Sequence, residues 1–125
     1  MQNEINFQGT FMRDEPLPSY GSFILNLDTF SGSGTHWTAV HCDKRLFYDP
    51  FGLPPPIELG NHNIKSYNTI QHQSIDSALC GLYCCYVIKL LNRGRTFHDI
   101  CYNIIKYKNL NKTNHVQLRN LLCQM

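Results

Sequence analysis

"SALCGLYCCYVIKLL", residues 77–91, decides the fold. Before it the chain reads as strands and turns. From Cys80 to Leu91 apolar side chains run nearly all the way round a helical wheel, the pattern of a buried helix. Ser77 or Asp76 can cap its start and Gly94 can end it. The same stretch holds three of the six cysteines, Cys80, Cys84 and Cys85, in little more than one turn. Side chains one helical turn apart keep their Cβ atoms about 5–6 Å apart. That is wider than the roughly 3.8 Å a disulfide prefers, and adjacent helical cysteines point in different directions. Bridges among them are therefore not expected. A metal cluster, a redox pair, plain packing and a nucleophile stay open on these residues alone.

Upstream, "SFILNLD" (22–28) alternates as a strand, and "TFSGSGT" (29–35) is a loop in which Gly32 and Gly34 give the backbone freedom. "HWTAVHC" (36–42) is a second strand by alternation and aromatic content. "DK" then turns the chain into "RLFYD" (45–49), its hairpin partner. "PFGLPPP" (50–56) cannot continue a central strand, because proline supplies no ladder donor. Its triple proline stiffens the loop and holds the preceding strand end in place. "IKSYNTIQ" (64–71) is a weaker strand candidate. "FQGTFMRDEPLPSYG" (7–21) is rich in turn formers, has no clean period and reads as irregular.

Downstream, Thr96 caps a second helix, "FHDICYNIIKY" (97–107), whose first-turn Asp99 suits the helix dipole. Asn114 with Gln117 makes a capping box for a third, "HVQLRNLLC" (115–123). Strands come first and helices after, which predicts an α+β class: a small antiparallel sheet with a buried helix.

A chain of 125 residues suits one domain, 1–125, with roughly two thirds of its unfolded surface buried. Hydrophobic content of 42% with 12% aromatic residues excludes a disordered chain. Only 16% of residues are charged, which leaves the surface to uncharged polar side chains or to a partner. A net charge of +2 does not by itself argue for nucleic acid. "YCCYVIKLL" is broken by Lys89 and falls short of a membrane span. "MQNEINFQG" lacks the regions of a signal peptide, so the expected setting is intracellular, with reduced thiols.

A cysteine is a nucleophile only as the thiolate, which the positive end of a helix favours. Cys80 stands at that end, and Gly81 beside it leaves room for a substrate backbone. Cys84 and Cys85 lie inside the helix among Tyr83, Tyr86, Val87 and Ile88, where they read as small core residues. A thiolate also needs an imidazole, and the imidazole needs a group that fixes its tautomer. Among the six histidines, His36 opens a strand directly after the glycine-bearing loop. Asp49 is the last residue before the proline break on the neighbouring strand, and two strands ending together would bring carboxylate to imidazole. Singly, each residue has an ordinary structural reading; together they point to nucleophilic catalysis. A zinc site on Cys80, Cys84 and a histidine is disfavoured, since no C-x-x-C pair exists.

"GTHWTAV" (34–40), "LFYDPFGLP" (46–54) and "QSIDSALCGLYCC" (73–85) resemble the adenain family, the cysteine proteases of adenoviruses. They are more distantly similar to the proteases that deconjugate SUMO. With "FQGTFMRDEPLPSYG" and "ILNLDTFSGSGTHW", the resemblance covers roughly residues 7–91. It implies a papain-like cysteine protease-type fold, with His36 as general base and Asp49 orienting it, where adenain has glutamate and SUMO proteases aspartate. It implies that the Gln73 side-chain amide and the Cys80 backbone N–H form the oxyanion hole, with Gln71 the alternative to Gln73. Trp37 would shield the His–acid pair, or simply pack in the core.

The activity implied is that of a cysteine endopeptidase cutting viral or virus-like precursor proteins at Gly-containing sites. The alternatives are an isopeptidase removing a ubiquitin-like modifier, and a non-catalytic binding module on the same fold. No cofactor is required by that chemistry. Adenain binds a short peptide through a disulfide and uses DNA as a cofactor. No cysteine stands between Cys42 and Cys80 to make such a link, while the charge leaves weak nucleic-acid binding open. Adenain is longer and has no evident counterpart here after "NHVQLRNLLCQM", so the chain is expected to be a minimal catalytic domain.

Overall fold

The computed structural model describes residues 4–28, 36–72 and 80–111, with side chains over 4–28, 36–72 and 81–106. Five strands form one sheet in chain order: β1 (Phe7–Met12), β2 (Ser22–Asn26), β3 (Trp37–His41), β4 (Leu46–Tyr48) and β5 (Ser66–Tyr67). Two helices follow, α1 (Cys80–Asn92) and α2 (Phe97–Asn111), and a 3₁₀ helix, Ile57–His62, lies between β4 and β5. The class is α+β.

The sheet is mixed, where an antiparallel one was expected. β2, β3 and β4 pair antiparallel, with Ile24 opposite Ala39 and Ala39 opposite Tyr48. The two outer strands pair parallel, β1 with β2 and β5 with β4. Parallel pairing needs a connection that carries the chain back to its starting end. Residues 13–21 and the proline-rich 49–65 do this.

β1 itself falls in a stretch expected to be irregular. Its register shifts between Phe7 and Thr10, around Gly9 at φ 112°, and that bulge erases the two-residue alternation. The 64–71 candidate shrinks to Ser66–Tyr67. The loop with Gly32 and Gly34, the caps Asp76 and Ser77, and the third helix with Asn114 and Gln117 lie outside the described residues.

β2 is buried along its whole length because both faces of the sheet are covered. On one face Ile24, Ala39, Leu46 and Tyr48 meet Tyr83, Val87, Ile88 and Leu91 of α1, with Ile100 and Ile104 of α2 behind them. On the other, Phe23, Leu25, Val40 and Phe47 pack on Leu59 of the 3₁₀ helix. A five-residue strand between two apolar layers therefore carries Phe, Ile and Leu in succession. Between the helices, Gly94 at φ 86° ends α1 with its N–H donating to the Leu91 carbonyl at 3.1 Å. The Asp99 N–H donates to Thr96 Oγ1 at 3.1 Å, the expected cap of α2.

Gly21 is the tightest point of this frame. Its φ is 71°, its carbonyl accepts from the Cys42 N–H at 2.7 Å, and a Cβ there would run into the Asn6 carbonyl oxygen. Gly21→Ala is expected to lower stability by about 2 kcal/mol or more, from left-handed strain plus the clash. Urea unfolding measures it, and an unchanged midpoint would show that β1 can shift away.

Candidate active site

β3 and β4 are antiparallel neighbours, so the start of one and the end of the other lie at the same end of the hairpin. His36 and Asp49 meet there, with Nε2 3.1 Å from Oδ2. The carboxylate has 0% side-chain exposure and the imidazole 18%.

A fully buried carboxylate requires donors, and the chain supplies them locally. The Phe51 N–H donates to Asp49 Oδ1 at 2.8 Å, and the Gly52 N–H donates to the Asp49 carbonyl at 2.8 Å, which closes the Asp-Pro-Phe-Gly turn. Gly52 has φ 78°, and a Cβ on it would lie 3.0 Å from the Thr69 carbonyl oxygen. Only glycine fits that position without displacing residues 69–71.

Two residues that the sequence pattern did not single out shape the pair. The Phe51 ring stacks on the imidazole of His36, with centroids 4.4 Å apart and planes 12° from parallel. Phe51 could have been noticed as the aromatic two places after the acid. Asn68 clamps the backbone of Asp49: Asp49 N–H donates to Asn68 Oδ1 at 3.0 Å, and Asn68 Nδ2 donates to the Asp49 carbonyl at 2.6 Å. The side-chain amide thus extends the β4–β5 pairing one step beyond Tyr67. No local signal marks Asn68, because the partner is 19 residues away.

Cys80 is the first residue of α1. One turn further on, the Cys84 thiol donates to the Trp37 carbonyl at 3.4 Å, which places the early turns of α1 against the residue next to His36. Trp37 is half-buried at the margin of the helix-side core, while the ring lying on His36 is Phe51. A Cβ at Gly81 would meet nothing within 4 Å. Gln71 is exposed; Gln73 and the Cys80 side chain lie outside what is described.

Cys42, Cys84, Cys85 and Cys101 are free thiols. Burial, with the charge of Asp43 adding to it, pushes the Cys42 thiol up to about 11. Burial pushes Cys101 up to about 12 and raises Cys85 as well. A raised value keeps these sulfurs protonated and poorly reactive near neutral pH. Among the described residues, no group of three or more His, Cys, Asp or Glu could hold a metal ion, and no helix is long and apolar enough to cross a membrane.

No protein-family model matches the chain. It is 29% identical over 122 residues to a protein of Acanthamoeba polyphaga mimivirus named "Putative thiol protease". The match takes in 82% of this chain, which spans about 40% of the length of that relative. The likeness thus points to a cysteine protease and no further.

The buried thiols give a pH dependence. Below about pH 8.5 they are protonated whether the chain is folded or not. Above it the unfolded chain loses these protons, while folded Cys42 and Cys101 keep theirs to about 11 and about 12. Stability should therefore fall as pH rises from roughly 8.5 to 12. Thermal melts across that range check it; a flat Tm would mean that these thiols ionise in the fold as they do in the open chain.

Proposed function

We propose that this chain is the catalytic domain of a cysteine endopeptidase, with Cys80 as nucleophile, His36 as base and Asp49 as its orienting carboxylate. The observation that carries this reading is the state of the His36 ring. Nε2 is taken by a buried carboxylate, and Nδ1 is buried with no hydrogen-bond partner among the described residues. With Nε2–H donated to Asp49, the neutral ring presents Nδ1 as a proton acceptor. The start of α1 at Cys80 and the thiol bond from Cys84 to Trp37 support an approach of the nucleophile to that nitrogen.

The reaction then runs in two stages. The Cys80 thiolate, paired with the imidazolium of His36, attacks a peptide carbonyl. Negative charge on the oxygen is met by the Cys80 N–H and the Gln73 side-chain amide, a kind of contact worth about 3 kcal/mol per donor. The imidazolium gives its proton to the leaving amine, and water then hydrolyses the thioester with His36 as base. Asp49 holds the ring through its contact with Nε2. Precursor proteins with glycine beside the cut are the proposed substrates, and the open surroundings of Gly81 leave room for a substrate backbone. These side chains suffice for the chemistry; a peptide or DNA activator would act only by stimulating it.

Cys80→Ala and His36→Ala should each lower kcat by about 1,000-fold or more while leaving the circular dichroism spectrum unchanged. Iodoacetamide at pH 6 should label Cys80 first, as read by peptide mapping. Equal labelling of Cys84 or Cys85 would place the nucleophile elsewhere. A peptide library should show preference for glycine next to the cut; faster turnover of a ubiquitin-like conjugate would move the reading to an isopeptidase.

A further inference from the structure

We infer that Tyr48, His72 and Tyr83 form a buried positioning network that fixes the point at which the chain enters Gln73 against β4 and α1. The inference rests on the protease reading and deepens it, since none of these three residues belongs to the proposed catalytic set.

His72 is completely buried, and Tyr48 and Tyr83 are each 1% exposed. Its Nδ1 is bonded to the Tyr48 hydroxyl at 2.8 Å, its carbonyl accepts from the Tyr83 hydroxyl at 3.3 Å, and its N–H donates to the Pro50 carbonyl at 2.7 Å. Ring, N–H and C=O of one residue are therefore tied to β4, to α1 and to the turn after Asp49.

Each of those partners is a chain neighbour of a proposed catalytic residue. Tyr48 precedes Asp49 and Pro50 follows it; His72 precedes Gln73; Tyr83 lies one helical turn after Cys80. Phenylalanine at 48 and 83 would fill the same core volume, so packing does not call for the hydroxyls. What they add is direction, because a hydrogen bond fixes an orientation that dispersion leaves loose. Burial pushes the Tyr83 phenol up to about 12 and raises Tyr48 well above the usual phenol range, so both keep their protons at neutral pH.

The stakes follow from oxyanion chemistry. A donor works only when it sits about 2.7–3.1 Å from the developing charge. A misplacement near 1 Å can cost about 100-fold in rate. His72 sets the point at which the chain enters the segment bearing Gln73. Being buried, it acts through its neighbour, as a positioning residue.

Tyr48→Phe and Tyr83→Phe each delete one hydroxyl and keep the ring. Three quantities would be measured on each: kcat and KM on a cleaved peptide, the rate of Cys80 alkylation by iodoacetamide across pH, and Tm. Alkylation needs the thiolate but no oxyanion hole. We expect kcat to fall about 10- to 100-fold with KM within twofold, while the alkylation rate and its pH midpoint match the wild type. The double variant should lose less than the product of the two losses, since both act through His72.

Wild-type kcat in both single variants would overturn the inference. So would a loss of kcat matched by an equal loss of alkylation rate or of folded fraction. Should a hydroxyl-deleted chain fail to fold, His72→Asn, whose amide can occupy the Nδ1 position, should keep more of kcat than His72→Leu; the reverse order overturns the inference. A wild-type chain that cleaves no peptide and alkylates Cys80 no faster than Cys42 sinks the protease reading itself, a different result from active wild type with unaffected variants.

Discussion

A carboxylate with no contact with water is the constraint around which one end of this molecule is organised. Asp49 is 0% exposed, and an ionised group in that position survives only if donors replace its hydration. One oxygen takes the Phe51 N–H and the other faces His36, while Asn68 holds the backbone on both sides. The proline after Asp49, the positive φ of Gly52 and the short β5 strand all follow from this requirement. They bend the chain tightly enough to deliver an N–H to the carboxylate and return a side-chain amide to its backbone.

The same economy of small elements runs through the fold. β2 is five residues long and buried on both faces, so the sheet serves two cores at once. α1 lies on one of them, and its first residue is Cys80. The position of the cysteine is thereby coupled to side chains such as Val87 and Ile88, both about two turns further along the helix and buried in the interior.

How much of this was legible depended on how local each cause is. β2, β3, β4 and α1 follow from alternation and from an unbroken apolar wheel, and the Thr96 cap from a hydroxyl three residues before its donor. β1 was hidden because a bulge at Gly9 breaks its period, and the 3₁₀ helix because only Leu59 of it is buried. Parallel pairing at both edges depends on where two crossovers deliver the chain, which no short window records. At the site, the proximity of His36 and Asp49 could be inferred from two strand ends at one end of a hairpin. Asn68 and His72 could not, since their bonds span 19 and 24 residues.

Spatial order in the sheet repeats the order of the chain, β1 through β5. Each strand pairs with its immediate predecessor, so the sheet can assemble progressively as it leaves the ribosome, from the N-terminal side. His36 and Asp49 belong to this early portion, whereas Cys80 opens α1, the first of the two helices that follow all five strands. If the proposed triad holds, a nascent chain would join His36 to Asp49 before Cys80 could reach them.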